Sequence, residues 1–318
     1  MSVSTPVLAI ILPCYNEEEV LPDSLRQITV LLQQMIETKQ VAQESFALFV
    51  DDGSTDKTWK IIEAEHVRNA GIIKGLKLGG NAGHQNAIMA GMLEVRDQVD
   101  CAITMDADLQ DDINLIPQMV EKFKEGFHIV YGVRNDRTTD SWLKRNSAGM
   151  FYKFMNMLGA NSIYGHADFR LVSKLALCYL DEYKESTLFL RTIFPGMHLT
   201  SINLYYARLP RKAGTTKFSL SKMLSFAISG ITMNSPVPLR FSGLLGIITL
   251  LLAVLQSIHV LVAYYNGDVV RGWTSLTLIV LYIGSIQLFS LAIIGEYLAK
   301  IFIEVKHRPR YIIEKKLE

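Results

Sequence analysis

Charge is what this sequence withholds. Lys, Arg, Asp and Glu make up only 20 % of its 318 residues, and two stretches, Phe241 to Tyr265 and Gly272 to Gly295, contain none of the four. Each exceeds the ~20 residues that a helix needs to cross a bilayer core of about 30 Å. Joined by the short "NGDVVR", they predict a transmembrane hairpin over 240–300. Buried helices of a large soluble protein would give similar apolar runs. The flanking charges favour the membrane: Lys217, Lys222 and Arg240 precede the hairpin, Lys300, Lys306, Arg308, Arg310, Lys315 and Lys316 follow it, and only Arg271 lies between. The positive-inside rule then places both termini in the cytoplasm, with the protein in the inner (cytoplasmic) membrane. Cysteine is scarce too. Three widely spaced residues, Cys14, Cys101 and Cys178, form no Cys-x-x-Cys pair, which excludes a disulfide or zinc framework and fits reduced thiols. A net charge of +1 argues against a nucleic-acid partner. No signal peptide is expected, because "PVLAIILP" has no basic n-region and too short an apolar core. Internal repeats and low-complexity linkers are absent.

The first 135 residues alternate two periods. Short apolar runs at 7–12, 45–50, 72–78, 101–105 and 128–133 read as strands, and helical spacing falls between them at 18–38, 56–69, 84–97 and 113–125. Such alternation predicts an α/β fold, a mostly parallel sheet with helices on both faces. Each run ends in a polar cluster: "PCYNEEE", "DDGSTD", "GGNAGHQN", "DADLQDD" and "RNDR". In open α/β sheets ligands bind beyond the carboxyl ends of the strands, so the five clusters converge on one crevice. A helix is expected over 140–158, "HADFR" (166–170) in a loop, and a further alternating stretch at 199–209. In "FSLSKMLSFAISGITMN", Leu220, Met223, Leu224, Ala227 and Ile231 share one helical face, giving an interface helix or one packed on the soluble domain. The expected domains are 1–216, a catalytic α/β domain; 217–239, the amphipathic region; 240–300, the hairpin; and 301–318, a basic cytoplasmic tail.

Asp106 and Asp108, spaced i, i+2 at a strand end, project to one side. With Gln110 they offer the hard oxygen donors that Mg²⁺ or Mn²⁺ prefers. A lone Asp-x-Asp is common in surface loops; its place among four other polar strand ends is what singles it out. Asp111 and Asp112 are expected to begin the next helix, where its dipole favours acids. Asp51 and Asp52 close the second run, and one carboxylate could accept from a base or ribose. Capping of the next helix by "STD" accounts for Ser54 and Asp56 but less well for the aspartate pair. Glu17 is a first-turn acid or a nucleotide contact, and His84 and Asn81 are candidate caps. Arg134, Arg145, Arg211 and Lys217 follow strands or lie in loops, and a metal with several cationic groups suits a diphosphate plus a second anion. Headgroup pairing explains Lys222 and the C-terminal basic residues better than it explains Arg211 and Lys217.

"PCYNE", "DDGSTD", "NAGHQNAIMAG", "DADLQD", "ADFRL", "RKAGTTK" and "GEYLAKIFIEVKHRPRYII" resemble the polyprenyl-phosphate glycosyltransferases, inverting family-2 nucleotide-sugar enzymes with a GT-A fold. The resemblance runs over nearly the whole chain and is strongest to the bactoprenol glucosyltransferase branch, which "RNDRTTDSWLKR" also favours. The formamido-arabinose transferase of lipid A modification and, more distantly, dolichyl-phosphate mannose synthase are related. The resemblance implies that Pro13, Tyr15, Glu17 and Asp52 line a nucleotide pocket and that Asp106, Asp108 and Gln110 hold the metal. It also implies that Arg134, Arg145, Arg211 and Lys217 receive the donor and lipid phosphates. "DDIN" stands where many relatives carry a proline turn, and "GTTK" replaces a G-x-S-K.

The expected reaction moves a hexose, glucose by resemblance, from a UDP-sugar to undecaprenyl or another polyprenyl phosphate. Galactose, N-acetylhexosamine, mannose or formamido-arabinose are the alternatives. A phosphate monoester has its second pKa near about 6, so the acceptor is already anionic and barely needs a base. Asp168 of "HADFR" is the candidate base, and orienting Arg170, a sugar hydroxyl or the acceptor phosphate is the preferred role. A processive polysaccharide synthase is disfavoured because no tryptophan (Trp59, Trp142, Trp273) follows an arginine as in Q-x-x-R-W. A non-catalytic nucleotide-sugar-binding membrane protein is disfavoured by the retained carboxylates and the Arg211/Lys217 pair. Glu296, near the inner end of the second span, points to buried pairing or an interface, so a homo-oligomer is compatible.

Overall fold

A computed structural model describes residues 5–134, 166–185, 190–207, 237–266 and 273–318. Two compact units divide them. The first is built on one eight-stranded sheet. Strands β1 (Leu8–Cys14) and β2 (Phe46–Asp51) are buried along their whole length, as unbroken apolar runs at the centre of a parallel sheet must be. They are followed by β3 (Ile73–Leu78), β4 (Cys101–Thr104), β5 (Ile129–Arg134), β6 (His166–Ser173), β7 (Ser201–Tyr206) and β8 (Ile313–Leu317). The spatial order is β7-β5-β6-β4-β1-β2-β3-β8. β1, β2, β3 and β4 pair in parallel, as do β5 and β7.

Side-chain alternation along the strands divides the core in two. Leu8, Ile10 and Leu12 face one layer with α1 (Leu21–Glu37), α2 (Thr58–Arg68) and α4 (Leu115–Lys124). Ala9 and Ile11 face the other with α3 (His84–Val95), α5 (Lys174–Glu182) and α6 (Leu190–Gly196). In α1, Leu21, Leu25, Ile28, Leu32 and Met35 recur every three or four residues and bury one stripe, and a proline in the first turn starts it. α3 packs tightly on the sheet: a Cβ on Gly91 would come within 2.5 Å of Ile11 and 2.9 Å of Val50.

Two strands depart from expectation. "HADFR" is not a loop but the first part of β6, inserted antiparallel between β4 and β5. Its buried Phe169, Leu171 and Val172 complete the core, while Asp168 and Arg170 satisfy each other inside it. The stretch 301–318, expected as a basic tail, ends in β8, antiparallel on β3. β3 would otherwise present a bare edge. Gly75 leaves room for Leu317, and the charges on β8 find partners: Lys77–Glu314 at 2.7 Å, Lys315–Glu63 at 2.6 Å and Lys316–Glu94 at 2.6 Å.

The second unit contains α7 (Val237–Tyr265) and α8 (Trp273–Val305), which contact each other. Among the described residues one segment, Tyr282–Val305, is long and apolar enough to cross a membrane. The helix expected at 140–158, the amphipathic stripe from Leu220 to Ile231 and the "RKAGTTK" loop lie outside the described residues.

Candidate active site

Between β1 and β4 the strand order reverses: the chain builds outward from β1 through β2 to β3, then returns to β4 on the other side. A cleft of about 160 Å³ opens there, at the carboxyl ends of β1, β2 and β4 and the start of α3. Pro13, Tyr15, Glu17, Asp52, Asp106 and Asp108 line it, together with His84. Six of the residues expected from the sequence are thereby brought together.

Asp106 lies two residues past the end of β4, and Leu109, with φ +48°, turns the chain so that Asp108 Oδ1 accepts the Gln110 N–H at 3.2 Å. Ala107 between them is buried, its carbonyl accepting the Ser24 hydroxyl at 2.5 Å. The backbone is thus pinned while the two flanking carboxylates face the cleft. Burial pushes the Asp106 carboxyl up; His84 opposes this, and Asp111, Asp168 and Asp108 add to it. A carboxylate held up by its own neighbours favours a cation beside it. Gln110 is buried and does not line the cleft. Among the described residues no group of three acidic, His or Cys side chains gathers as a metal cage. Two hard-oxygen donors fit Mg²⁺ or Mn²⁺ shared with a substrate's phosphates, since such ions keep several non-protein ligands.

The rest of "DADLQDD" is used differently. α4 begins only at Leu115, so Asp111 is not a first-turn acid. It is buried and paired with Arg134, at 3.2 Å from Nε and 2.9 Å from Nη2, and it accepts the Tyr206 hydroxyl. Arg134, expected to meet a phosphate, is held by this pair and is not among the cleft's lining residues. Asp112 accepts the Asn114 N–H at 3.0 Å and shapes the turn into α4.

Asp52 is a clamp as well as a wall. Its two oxygens accept the Ala82 and Gly83 N–H groups at 2.7 and 3.0 Å, fixing the loop that enters α3. Gly53, at φ +68°, lets the neighbouring loops touch: a Cβ there would sit 2.5 Å from Gly80. Asp51 is fully buried and accepts the Ser54 N–H at 3.2 Å. The N-cap position of α2 is Lys57, without a side-chain bond, and it is Asp56 that satisfies the helix start, its Oδ1 accepting the Thr58 N–H at 2.9 Å. Ser54 and Asp56 also bind the loop after β1, accepting the Asn16 and Glu18 N–H groups at 3.0 and 3.2 Å, while Thr58 accepts that of Glu17 at 2.9 Å.

Asp168 lies behind His84. Its side chain is 8 % exposed and accepts from Arg170 Nη2 at 2.6 Å, Arg191 Nη2 at 3.1 Å and Gln85 Nε2 at 3.4 Å. Burial alone would raise its pKa; the hydrogen bond from His84 and the Arg191 and Arg170 charges outweigh that and hold the carboxyl well below the usual range. His84 Nε2 stands 3.5 Å from Asp168 and 3.6 Å from Asp106. It does not cap α3, because Gly83 occupies the N-cap with no side-chain bond. Arg191 and Gln85 escaped the sequence analysis. Their signals are faint: a lone arginine in the apolar "LFLRTIF", and a glutamine in a helix start. Arg145, Arg211 and Lys217 lie outside the described residues.

Residues 9–179 match the model of glycosyl transferase family 2. YkoT of Bacillus subtilis (strain 168), an uncharacterized glycosyltransferase, is 46% identical over 99% of this chain and 93% of its own length. The SfII prophage-derived bactoprenol glucosyl transferase of Shigella flexneri is 34% identical over 97% of each protein. The bactoprenol glucosyl transferase of Shigella phage SfV is 33% identical over 96% of this chain and 98% of its own. Among solved structures, mannosyl-3-phosphoglycerate synthase from Rubrobacter xylanophilus is similar with a TM-score of 0.49, 16% identity and 75% of each chain covered.

Proposed function

The chain belongs to glycosyl transferase family 2, and from that premise we propose that it transfers glucose from a nucleotide sugar, UDP-glucose, to undecaprenyl or another polyprenyl phosphate, inverting the anomeric centre. The observation that carries this is the acidic cleft at the strand-order reversal, where Asp106 and Asp108 project from the end of β4. Near-full-length similarity to proteins named bactoprenol glucosyl transferases supports the lipid acceptor and the sugar.

Asp106 and Asp108 would hold Mg²⁺ or Mn²⁺. When bound, the cation supplies Lewis-acid neutralisation of the departing nucleoside diphosphate. Pro13, Tyr15 and Glu17 form the wall of the nucleotide subsite beyond β1, with Asp52 keeping the loop before α3 in place. Arg145, Arg211 and Lys217 are assigned to the donor and acceptor phosphates. Asp168 is a poor base, since a carboxyl held below its usual range has little affinity for a proton. The acceptor asks for none: its oxygen is largely ionised at neutral pH, and positioning in line with C1 does the rest. Asp168 instead orients Arg170 and Arg191.

α7 and α8 are proposed as a two-span hairpin in the cytoplasmic membrane, with the catalytic unit and both termini on the cytoplasmic side. The charge-free runs and the basic residues flanking them support this. The deciding experiment is a panel of UDP- and GDP-sugars incubated with purified protein, Mg²⁺ or Mn²⁺ and undecaprenyl phosphate, with products identified by mass. Undecaprenyl-phosphate-glucose from UDP-glucose is expected. Polymer growth, or nucleotide-sugar binding with no lipid product from any donor, would overturn the assignment.

A further inference from the structure

The described residues of the cleft are electrostatically unbalanced. Glu17, Asp52, Asp106 and Asp108 bring four carboxylates to its wall, and a nucleotide sugar would bring a diphosphate to the same place. Like charges at a few ångströms repel strongly away from bulk water. A cation on Asp106 and Asp108 relieves part of this. Among the described residues that line the cleft one side chain is basic, and it is His84.

His84 is held from behind and open in front. The loop that delivers it is fixed by Asp52, whose oxygens take the N–H groups of Ala82 and Gly83. Gly83, at φ +91°, makes the turn into α3, and the imidazole is not spent on capping that helix. Nε2 faces Asp168 Oδ2 at 3.5 Å and Asp106 Oδ1 at 3.6 Å, two acceptors that place the hydrogen on this nitrogen. Both distances are long for a hydrogen bond. The N–H is therefore shared at long range between two carboxylates, and 46 % of the side chain remains exposed. Asp168, locked by Arg170 and Arg191, keeps the ring in place.

We propose that His84 binds the diphosphate of the nucleotide sugar and stays on it as the nucleoside diphosphate departs. This rests on the nucleotide-sugar assignment made above. In the reaction the C1–O bond to the β-phosphate breaks with its electron pair going to the phosphate oxygen, while an acceptor phosphate oxygen forms the new bond to C1. His84 transfers no proton. Its N–H strengthens a hydrogen bond as charge grows on the leaving oxygen, which makes it a catalytic residue in the sense of touching the reacting group.

The test uses calorimetric titration of the full chain in detergent, with Mn²⁺ present throughout and UDP, UMP and uridine as probes. His84→Ala should weaken UDP binding by about 10-fold or more and leave uridine unchanged, because only a charge-assisted hydrogen bond to phosphate is removed. His84→Gln, which keeps an N–H donor, should recover most of the UDP affinity. In steady state His84→Ala should lower kcat more than it raises KM for the nucleotide sugar. Equal losses for UDP and uridine, or unchanged UDP affinity in His84→Ala, would overturn the assignment of His84 while leaving the family function intact. If the unsubstituted protein itself bound UDP no better than uridine, the nucleotide-sugar assignment would fall, and this inference with it.

Discussion

Two carboxylate sites flank His84 and are built on opposite terms. Asp168 is completed by the protein: buried in β6, it meets two arginines and a glutamine from three different elements. Asp106 is left incomplete: one-third exposed, it faces other acids, and its carboxyl is pushed up. Where a fold supplies its own counter-charges, a carboxylate serves architecture. Where it supplies further acids instead, a cation from outside would relieve the repulsion. The difference sets a rigid, fully paired carboxylate behind His84 and a repelled one at the cleft wall in front of it.

Substitutions should separate the two sites. Asp108→Ala is expected to lower transfer to lipid phosphate by about 10³-fold, as loss of transition-state charge stabilisation does, with the protein still folded by circular dichroism. Full activity in that variant, or in excess chelator, would remove the metal arm from the mechanism. Asp168→Ala should instead cost ~3–5 kcal/mol of stability in denaturant titration, because Arg170, with no exposed surface, loses its partner. Asp106→Asn, by contrast, should leave stability unchanged or raise it, since a repelled carboxylate is neutralised; equal destabilisation by both would erase the distinction. The Asp168 contribution should also depend on pH with a defined sign. Its folded pKa is depressed, so the stabilisation is complete above the unfolded value of about 3.9 and is lost as pH falls through the folded one. The stability gap between wild type and Asp168→Asn should therefore close in acid. Smallest of all, Lys316→Ala at the sheet edge should cost only ~0.2–1 kcal/mol, the ordinary worth of a partly exposed ion pair.

The parts of the fold that were legible in the sequence are those that single segments specify. Strands β1 to β5 announce themselves as apolar runs, and polar residues after β1, β2, β3 and β4 converge on a cleft because these parallel strands point the same way. What depended on a distant partner was hidden. "HADFR" reads as a polar loop until Arg170 meets Asp168 and Leu190, and β8 carries three charges in five residues. Asp111 and Asp108 look equivalent in "DADLQDD"; only the arrival of Arg134 and Tyr206 from β5 and β7 turns one inward. Arg191 was missed for the same reason, its carboxylate partner lying 23 positions earlier.

Strand β8 has a consequence for how the protein is made. Synthesis runs from the amino end, and the last strand of the sheet follows the two long apolar helices in the chain. Until Leu317 has been added, β3 keeps an open edge, and Gly75 lacks one of its two apolar neighbours, Ile62 being the other. The catalytic unit therefore cannot finish folding ahead of the helices, as an amino-terminal domain ordinarily would. Its completion is a report that both apolar helices have been produced. A ribosome that stops early releases a sheet with an adhesive edge, the kind of surface that cellular quality control recognises.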